Sequence, residues 1–152
     1  MHVASADVVL HAVNTDADWA NLNRLVEINF EEGLRAGRTR LPEDVVRGIV
    51  DGYRRKSRIA QFFIAETSRE PCAYGSAIVC PNDLGMLEDF FTLPQCRGRG
   101  IASAIVGHCV GHCRSKGSSS VFIGARATER AKHLYARLGF KPLMISREWV
   151  KG

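Results

Sequence analysis

The chain has 152 residues, of which 45% are hydrophobic and 24% charged, the length of one domain with ordinary globular usage. That composition excludes an intrinsically disordered segment, a collagen-like repeat and a disulfide-packed miniprotein. Lysine plus arginine number 21 against 16 for aspartate plus glutamate, a net charge of +5; the mild excess suits an anionic partner without choosing between nucleic acid, an acidic surface and a phosphorylated cofactor.

No basic stretch followed by a long apolar run opens the chain, and no segment has the apolar length of a membrane span. A cytoplasmic protein with no membrane partner is expected. Cys72, Cys80, Cys96, Cys109 and Cys113 are odd in number and contain no C-x-x-C pair, so reduced thiols are expected. One domain is expected over residues 1–152, without repeats or linkers.

A short β-branched run at 8–13 opens the order of elements. Thr15 with Asp18 has the spacing of a capping box, and Trp19, Leu22, Val26 and Phe30 then share one helical face. Gly33 is expected to stop that helix. Pro42 suits the first turn of a second helix, striped by Val45, Val46, Ile49, Val50 and Tyr53 and ending on Arg54, Arg55 and Lys56. Strand-like runs at 59–65, 73–79 and 86–93, joined by short turns, form an antiparallel meander. A helical stretch over 98–117 follows, with Ile101, Ile105, Cys109 and Cys113 at i+4 spacing. The crossover makes the next strand, 120–126, parallel to the third meander strand. Thr128 is placed to cap a last helix with Ala131, Leu134, Tyr135 and Leu138 on its apolar face, and 142–150 reads as a final strand. The fold class is α+β: a mixed, mostly antiparallel sheet of about six to seven strands with about four helices on both faces.

The densest local signal is Leu93-Pro94-Gln95-Cys96-Arg97-Gly98-Arg99-Gly100-Ile101-Ala102. Pro94 ends a strand, two glycines let an anion approach the backbone, and a helix begins at once with its unpaired N–H groups facing the loop. Arg97 and Arg99 add positive charge. The third glycine of a dinucleotide fingerprint is absent, since Ser103 stands there, and no G-K-[ST] follows.

Gln95-x-x-Gly98-x-Gly100 resembles the Q/R-x-x-G-x-G/A loop of the GNAT N-acetyltransferase superfamily. Leu134-Tyr135-Ala136-Arg137-Leu138-Gly139-Phe140 resembles its second signature, LY-x-x-L-G-F. Met86-Leu87-Glu88-Asp89-Phe90-Phe91-Thr92 is similar to the fourth strand of the diamine and polyamine acetyltransferase branch, with Thr92 where valine is usual. The match covers about residues 86–140.

The resemblance implies an acetyl-CoA-dependent N-acetyltransferase acting on a primary amine, a small molecule such as a polyamine or amino acid being favoured. The pyrophosphate of acetyl-CoA is then held by Gln95, Arg97, Gly98, Arg99, Gly100, Ile101, Ala102 and Ser103. The pantetheine and acetyl carbonyl lie along Phe90, Phe91 and Thr92. Thr128 joins the cofactor contacts where relatives often carry asparagine. Tyr135 is implied as the acid that protonates the departing thiolate, and Glu88 as the base on the amine, with Asp89 second. Being adjacent on a strand, the two carboxylates are expected on opposite faces. Glu27 and Glu31, with Glu32 beside them at the end of the first helix, are placed to attract a cationic amine. Many relatives are dimers, so a homodimer is expected.

Other readings were a protein lysine or N-terminal acetyltransferase and a GNAT module that binds acyl-CoA without turnover. The basic segments 35–40 and 54–58 lack interleaved aromatics, and no nucleic-acid partner is expected. His108, Cys109, His112 and Cys113 tempt as zinc ligands, but the cysteines continue the apolar stripe and the histidines lie on an adjacent face, so no metal is expected.

Overall fold

The computed structural model describes residues 7–37, 42–126, 129–147, 149 and 151. The elements run β1 Val8–Ala12, α1 Asp16–Arg35, α2 Glu43–Lys56, β2 Ala60–Thr67, β3 Glu70–Cys80, β4 Leu84–Thr92, α3 Ile101–Ser115, β5 Ser120–Ile123 and α4 Ala131–Arg137. One sheet has the order β1-β2-β3-β4-β5. The first four strands pair antiparallel, and β5 joins β4 in parallel after the α3 crossover, as a strand–helix–strand connection requires.

Thr15 opens α1 with both bonds of a capping box. Asp18 N–H donates to Thr15 Oγ1 at 3.2 Å, and Asp18 Oδ2 accepts from Thr15 N–H at 2.8 Å. Gly33 does not stop the helix. It continues the inward stripe of Trp19, Leu22 and Val26 and is buried inside α1, which runs on to Arg35. The β2–β3 turn is tighter than the turn residues suggest: Thr67 pairs with Glu70, leaving Ser68 and Arg69 at φ 51° and 65°, a two-residue turn with the twist that suits a hairpin.

Helices cover both faces, as successive strand residues show. Phe62 turns to α1 and α2, its ring 5.8 Å from Trp19 and 5.1 Å from Tyr53. Phe63, one residue on, meets His108 and His112 of α3 edge-on at 4.7 and 5.2 Å. On one side the core holds Leu22, Leu25 and Val26; on the other it holds Ile101, Ile105, Cys109 and Cys113. The two α3 cysteines therefore act as small apolar side chains, and burial pushes the Cys109 thiol up to about 12. Among the described residues, no three His, Cys, Asp or Glu side chains gather as metal ligands, and no helix is long and apolar enough to cross a membrane.

The sheet has five strands among the described residues rather than six or seven. The difference lies mainly at the C-terminal end, where residues 142–147 form no strand. Leu143, Met144 and Ile145 have no sheet edge covering them and stay exposed. Thr128 lies outside the described residues, and α4 is preceded by Arg130, whose side chain makes no capping bond.

Candidate active site

Glu88 and Asp89 do not lie on opposite faces. Tyr74 pairs with Phe91 and Ser76 with Glu88, so Gly75 alone faces Asp89 and Phe90. Two residues against one is a β-bulge, and Asp89 absorbs it at φ 58°. A Cβ on Gly75 would lie 2.4 Å from Phe90 Cε1; the absence of a side chain there makes room for the Phe90 ring. The bulge cancels strand alternation, and both carboxylates meet one ammonium group. Lys56 Nζ donates to Glu88 Oε2 and, at 2.6 Å, to Asp89 Oδ2.

A polar chain extends inward from Asp89. Tyr53 Oη donates to Asp89 Oδ1 at 3.2 Å, and Ser76 Oγ lies 3.1 Å from both Asp89 Oδ2 and the Glu88 carbonyl. Behind it, Asn29 Nδ2 donates to Tyr74 Oη at 3.0 Å. Burial holds both phenols protonated, pushing Tyr74 up to about 12 and raising Tyr53 as well, the latter helped by its neighbours Tyr74 and Asp89. Burial works against the charge on Lys56, but the bonds to Asp89 and Glu88 outweigh it and leave its pKa raised. Sequence reasoning missed Asn29, Tyr53, Lys56, Tyr74 and Ser76. Tyr53 was read only as a member of an apolar stripe.

The β4–β5 ladder ends at Leu87 and Ile123, whereas β3 pairs with β4 as far as Thr92. Beyond Leu87 the two parallel strands have parted. Leu93 N–H donates to the Cys72 carbonyl on the β3 side at 2.9 Å. By strand alternation Thr92 turns its N–H and carbonyl to the open edge, and Phe91 turns its N–H to β3. The Phe91 ring is buried 5.8 Å from Tyr74.

A 3₁₀ turn at Pro94–Cys96 leads into the glycine loop, with Gln95, Gly98, Arg99 and Gly100 exposed. Gly98 and Gly100 have φ 73° and 79°, and apart from their chain neighbours no heavy atom of the described residues lies within 4 Å of a Cβ built on either. Only glycine adopts that backbone freely, and the space beside it suits a bulky anion. Gly100 precedes α3 without a capping side chain, so the first-turn N–H groups of Ile101, Ala102 and Ser103 keep their capacity to donate. Ile101 buries its side chain in the core and can offer only backbone. Arg97 points elsewhere: its guanidinium grips Glu32 of α1 at 2.7 and 2.6 Å, and its Nε donates to the Thr92 carbonyl at 3.0 Å. It fastens the loop to the first helix and the end of β4.

Tyr135 packs edge-on against Phe140, with ring centroids 6.1 Å apart. Burial, then the charge of Glu129, raises its pKa, which keeps the phenol protonated. Glu27 and Glu31 lie exposed on α1, and among the described residues no hydrogen bond or ion pair ties them to the groups around Glu88 and Asp89.

The family model described as "Acetyltransferase (GNAT) family" matches residues 22–140. The chain belongs to the GNAT acetyltransferase family. No curated protein matches it. Among solved structures it is similar to AAC(6')-Iy in complex with the bisubstrate analogue CoA-S-monomethyl-acetylneamine, with 16% identity, TM-score 0.75, and coverage of 97% of this chain and 99% of that one. Glucosamine-6-phosphate N-acetyltransferase from Arabidopsis thaliana matches with 15% identity, TM-score 0.66, and coverage of 95% and 98%. A protein from Clostridium acetobutylicum described as a predicted acetyltransferase, solved with acetyl-CoA, matches with 16% identity, TM-score 0.68, and coverage of 95% of each chain. At these identities the likeness is one of fold: the α+β GNAT fold, here with five strands in a mixed sheet and four helices among the described residues.

Proposed function

We propose that this GNAT protein transfers the acetyl group of acetyl-CoA to the primary amine of a small molecule by direct attack on the thioester. The observation that carries the reading is the β4 bulge, which sets Glu88 and Asp89 beside the point where β5 leaves β4. The donors for an anion follow within a few residues of the same strand.

The parts divide the work as follows. The pyrophosphate of acetyl-CoA is taken by N–H groups of the Gly98–Ser103 segment, with Gln95 and Arg99 at its rim. The pantetheine lies along the open edge of β4, where the Thr92 N–H faces it. The acceptor arrives as an ammonium, because a free alkylamine has a pKa of about 10.4, and it binds at the carboxylates. Glu88 takes a proton from it, directly or through water, and the neutral nitrogen forms a bond to the acetyl carbon as the C–S bond breaks. Tyr135 gives a proton to the leaving sulfur, and the second proton that the nitrogen sheds on becoming the amide returns to the Tyr135 oxygen, directly or through water, while the proton on Glu88 passes to solvent. Arg97 holds the loop through Glu32 and Thr92.

An amine panel with free thiol as the readout tests the reading, run on the parent and on Glu88→Gln. Release of thiol should require an amine. The Glu88→Gln variant should lose turnover most near neutral pH and recover as pH approaches the pKa of the amine. No amine-dependent thiol release from the parent would overturn the acetyltransferase reading. A parental pH profile in the variant would remove Glu88 from the mechanism.

A further inference from the structure

Lys56 sits where an acceptor's ammonium group would sit. Its Nζ binds Glu88 and Asp89 together, the two carboxylates that the proposed reaction assigns to the amine. The contact is poorly explained as a device for closing the core. Lys56 is the last residue of α2, a helix with no fully buried residue. Solvent reaches all three groups, with side-chain exposures of 22% for Lys56, 39% for Glu88 and 20% for Asp89. Ion pairs that water can reach contribute little to stability, and a competing cation can reach them too.

Resting on the acetyltransferase reading, we propose that Lys56 is a specificity-determining residue: it fills the acceptor's ammonium subsite, and the acceptors that displace it best are amines that also carry an anionic group.

The argument is one of partner exchange. A diamine entering the Glu88–Asp89 pair expels Lys56 and offers its ammonium nothing in return. An amine with a carboxylate or phosphate nearby brings two partners: its ammonium takes the carboxylates, and its anion takes Lys56. The lysine has a flexible four-carbon stem with three donors, so it can turn to a nearby anion without movement of the helix. A tethered cation is also a strong competitor for any ligand that cannot exchange with it, because its effective concentration is on the order of millimolar or more. An occupied subsite weakens apparent affinity in proportion to the fraction of time it is closed.

The test uses the full chain and two neutral variants, Lys56→Met and Lys56→Gln, both checked for parental melting so that at least one folded variant is read. The probes are 1,4-diaminobutane and O-phosphoethanolamine, with thiol release measured at fixed acetyl-CoA. Removing the lysine should raise kcat/KM for the diamine about tenfold, the effect of a subsite previously closed about nine-tenths of the time. It should not raise kcat/KM for the phosphate-bearing amine, because the same opening of the subsite is offset by loss of the partner of its anion. Changes in the same direction for both probes, or in neither, would overturn the proposal, since a purely structural ion pair has no reason to separate them. If the parent acetylates no amine, the acetyltransferase reading fails on its own, and calorimetry still decides the subsite. Binding of 1,4-diaminobutane should then be tighter in Lys56→Gln than in the parent and lost in Lys56→Gln/Glu88→Gln. Equal binding in the parent and Lys56→Gln would overturn the proposal.

Discussion

Gly75 lies beneath Phe90: a Cβ at the glycine would stand 2.4 Å from Cε1 and 2.6 Å from Cδ1 of the ring. The pair holds open the bulge that turns Glu88 and Asp89 to one ammonium. Gly75→Ala should force the half-buried ring aside and destabilise the fold by about 1–3 kcal/mol, the usual cost of overpacking. Amine-dependent turnover should fall further than stability alone accounts for, because the carboxylates move with the bulge. Urea denaturation and thiol release check both effects, and a variant equal to the parent in each would show that the ring contact does not hold the bulge.

The strand and helix order was legible because each signal is local. The two-residue and near-four-residue periods, the Thr15–Asp18 spacing and the glycine loop all lie within short windows. The acid pair was found, but its geometry was misjudged. Alternation sends adjacent strand residues to opposite faces, and one extra residue opposite Gly75 reverses that. Nothing local to Glu88-Asp89 announces the bulge. Lys56, Tyr53, Ser76 and Asn29 were invisible for another reason: their partners lie on other elements, 12 to 45 residues away in sequence. Gly33 misled because glycine marks both helix ends and close packing, and its place on the apolar stripe of α1 favours packing.

The anion loop is tested at Gly100. Its φ of 79° suits glycine and strains a β-branched residue by about 1–3 kcal/mol. Gly100→Val should therefore fold less stably and bind acetyl-CoA at least about tenfold more weakly, a loss of about 1.4 kcal/mol. Gly107, exposed inside α3 with open space at its Cβ, is the control. Gly107→Ala should gain about 0.5–1 kcal/mol from helix propensity and leave affinity unchanged. Parental acetyl-CoA affinity in a folded Gly100→Val would remove the loop from the cofactor site.

The α1 cap gives the fold a pH signature. Asp18 accepts backbone bonds from Asn14 and Thr15 at 3.0 and 2.8 Å, and these two bonds, with smaller help from the Thr15 hydroxyl and His11 and against burial, lower its pKa from 3.8 to about 2. A carboxylate with a folded pKa below its unfolded value stabilises the native state above the unfolded pKa. That contribution fades as pH falls through the folded value. Asp18→Asn should cost about 1 kcal/mol near neutral pH and flatten the acid limb of stability between about pH 5 and pH 2. Thermal melts across that range check it. An acid limb as steep as the parent's would assign the slope to other carboxylates.

Tyr135 carries the sharpest test of the proposed chemistry, because its ring and its proton can be separated. The ring packs on Phe140, and the Tyr135 carbonyl accepts the Phe140 N–H at 3.0 Å; Tyr135→Phe leaves both contacts in place. The hydroxyl makes no hydrogen bond among the described residues. With no buried polar side-chain atom left without a partner, that oxygen is open to a ligand, so its removal should cost little stability. Burial and the charge of Glu129 hold the phenol protonated, the form a general acid needs before the C–S bond breaks. A positioned acid contributes about 10²–10⁴-fold, and water can replace part of it. Tyr135→Phe should thus melt like the parent, bind acetyl-CoA with similar affinity and lose turnover by at least about tenfold. The loss should fall on kcat, since the proton is required only as the sulfur departs. It should also shrink with an acyl donor whose leaving thiol has a lower pKa, because a better leaving group needs the proton less. Parental kcat in the variant would make Tyr135 a packing residue, and an undiminished loss with the better leaving group would mean that its hydroxyl acts by positioning rather than by proton transfer.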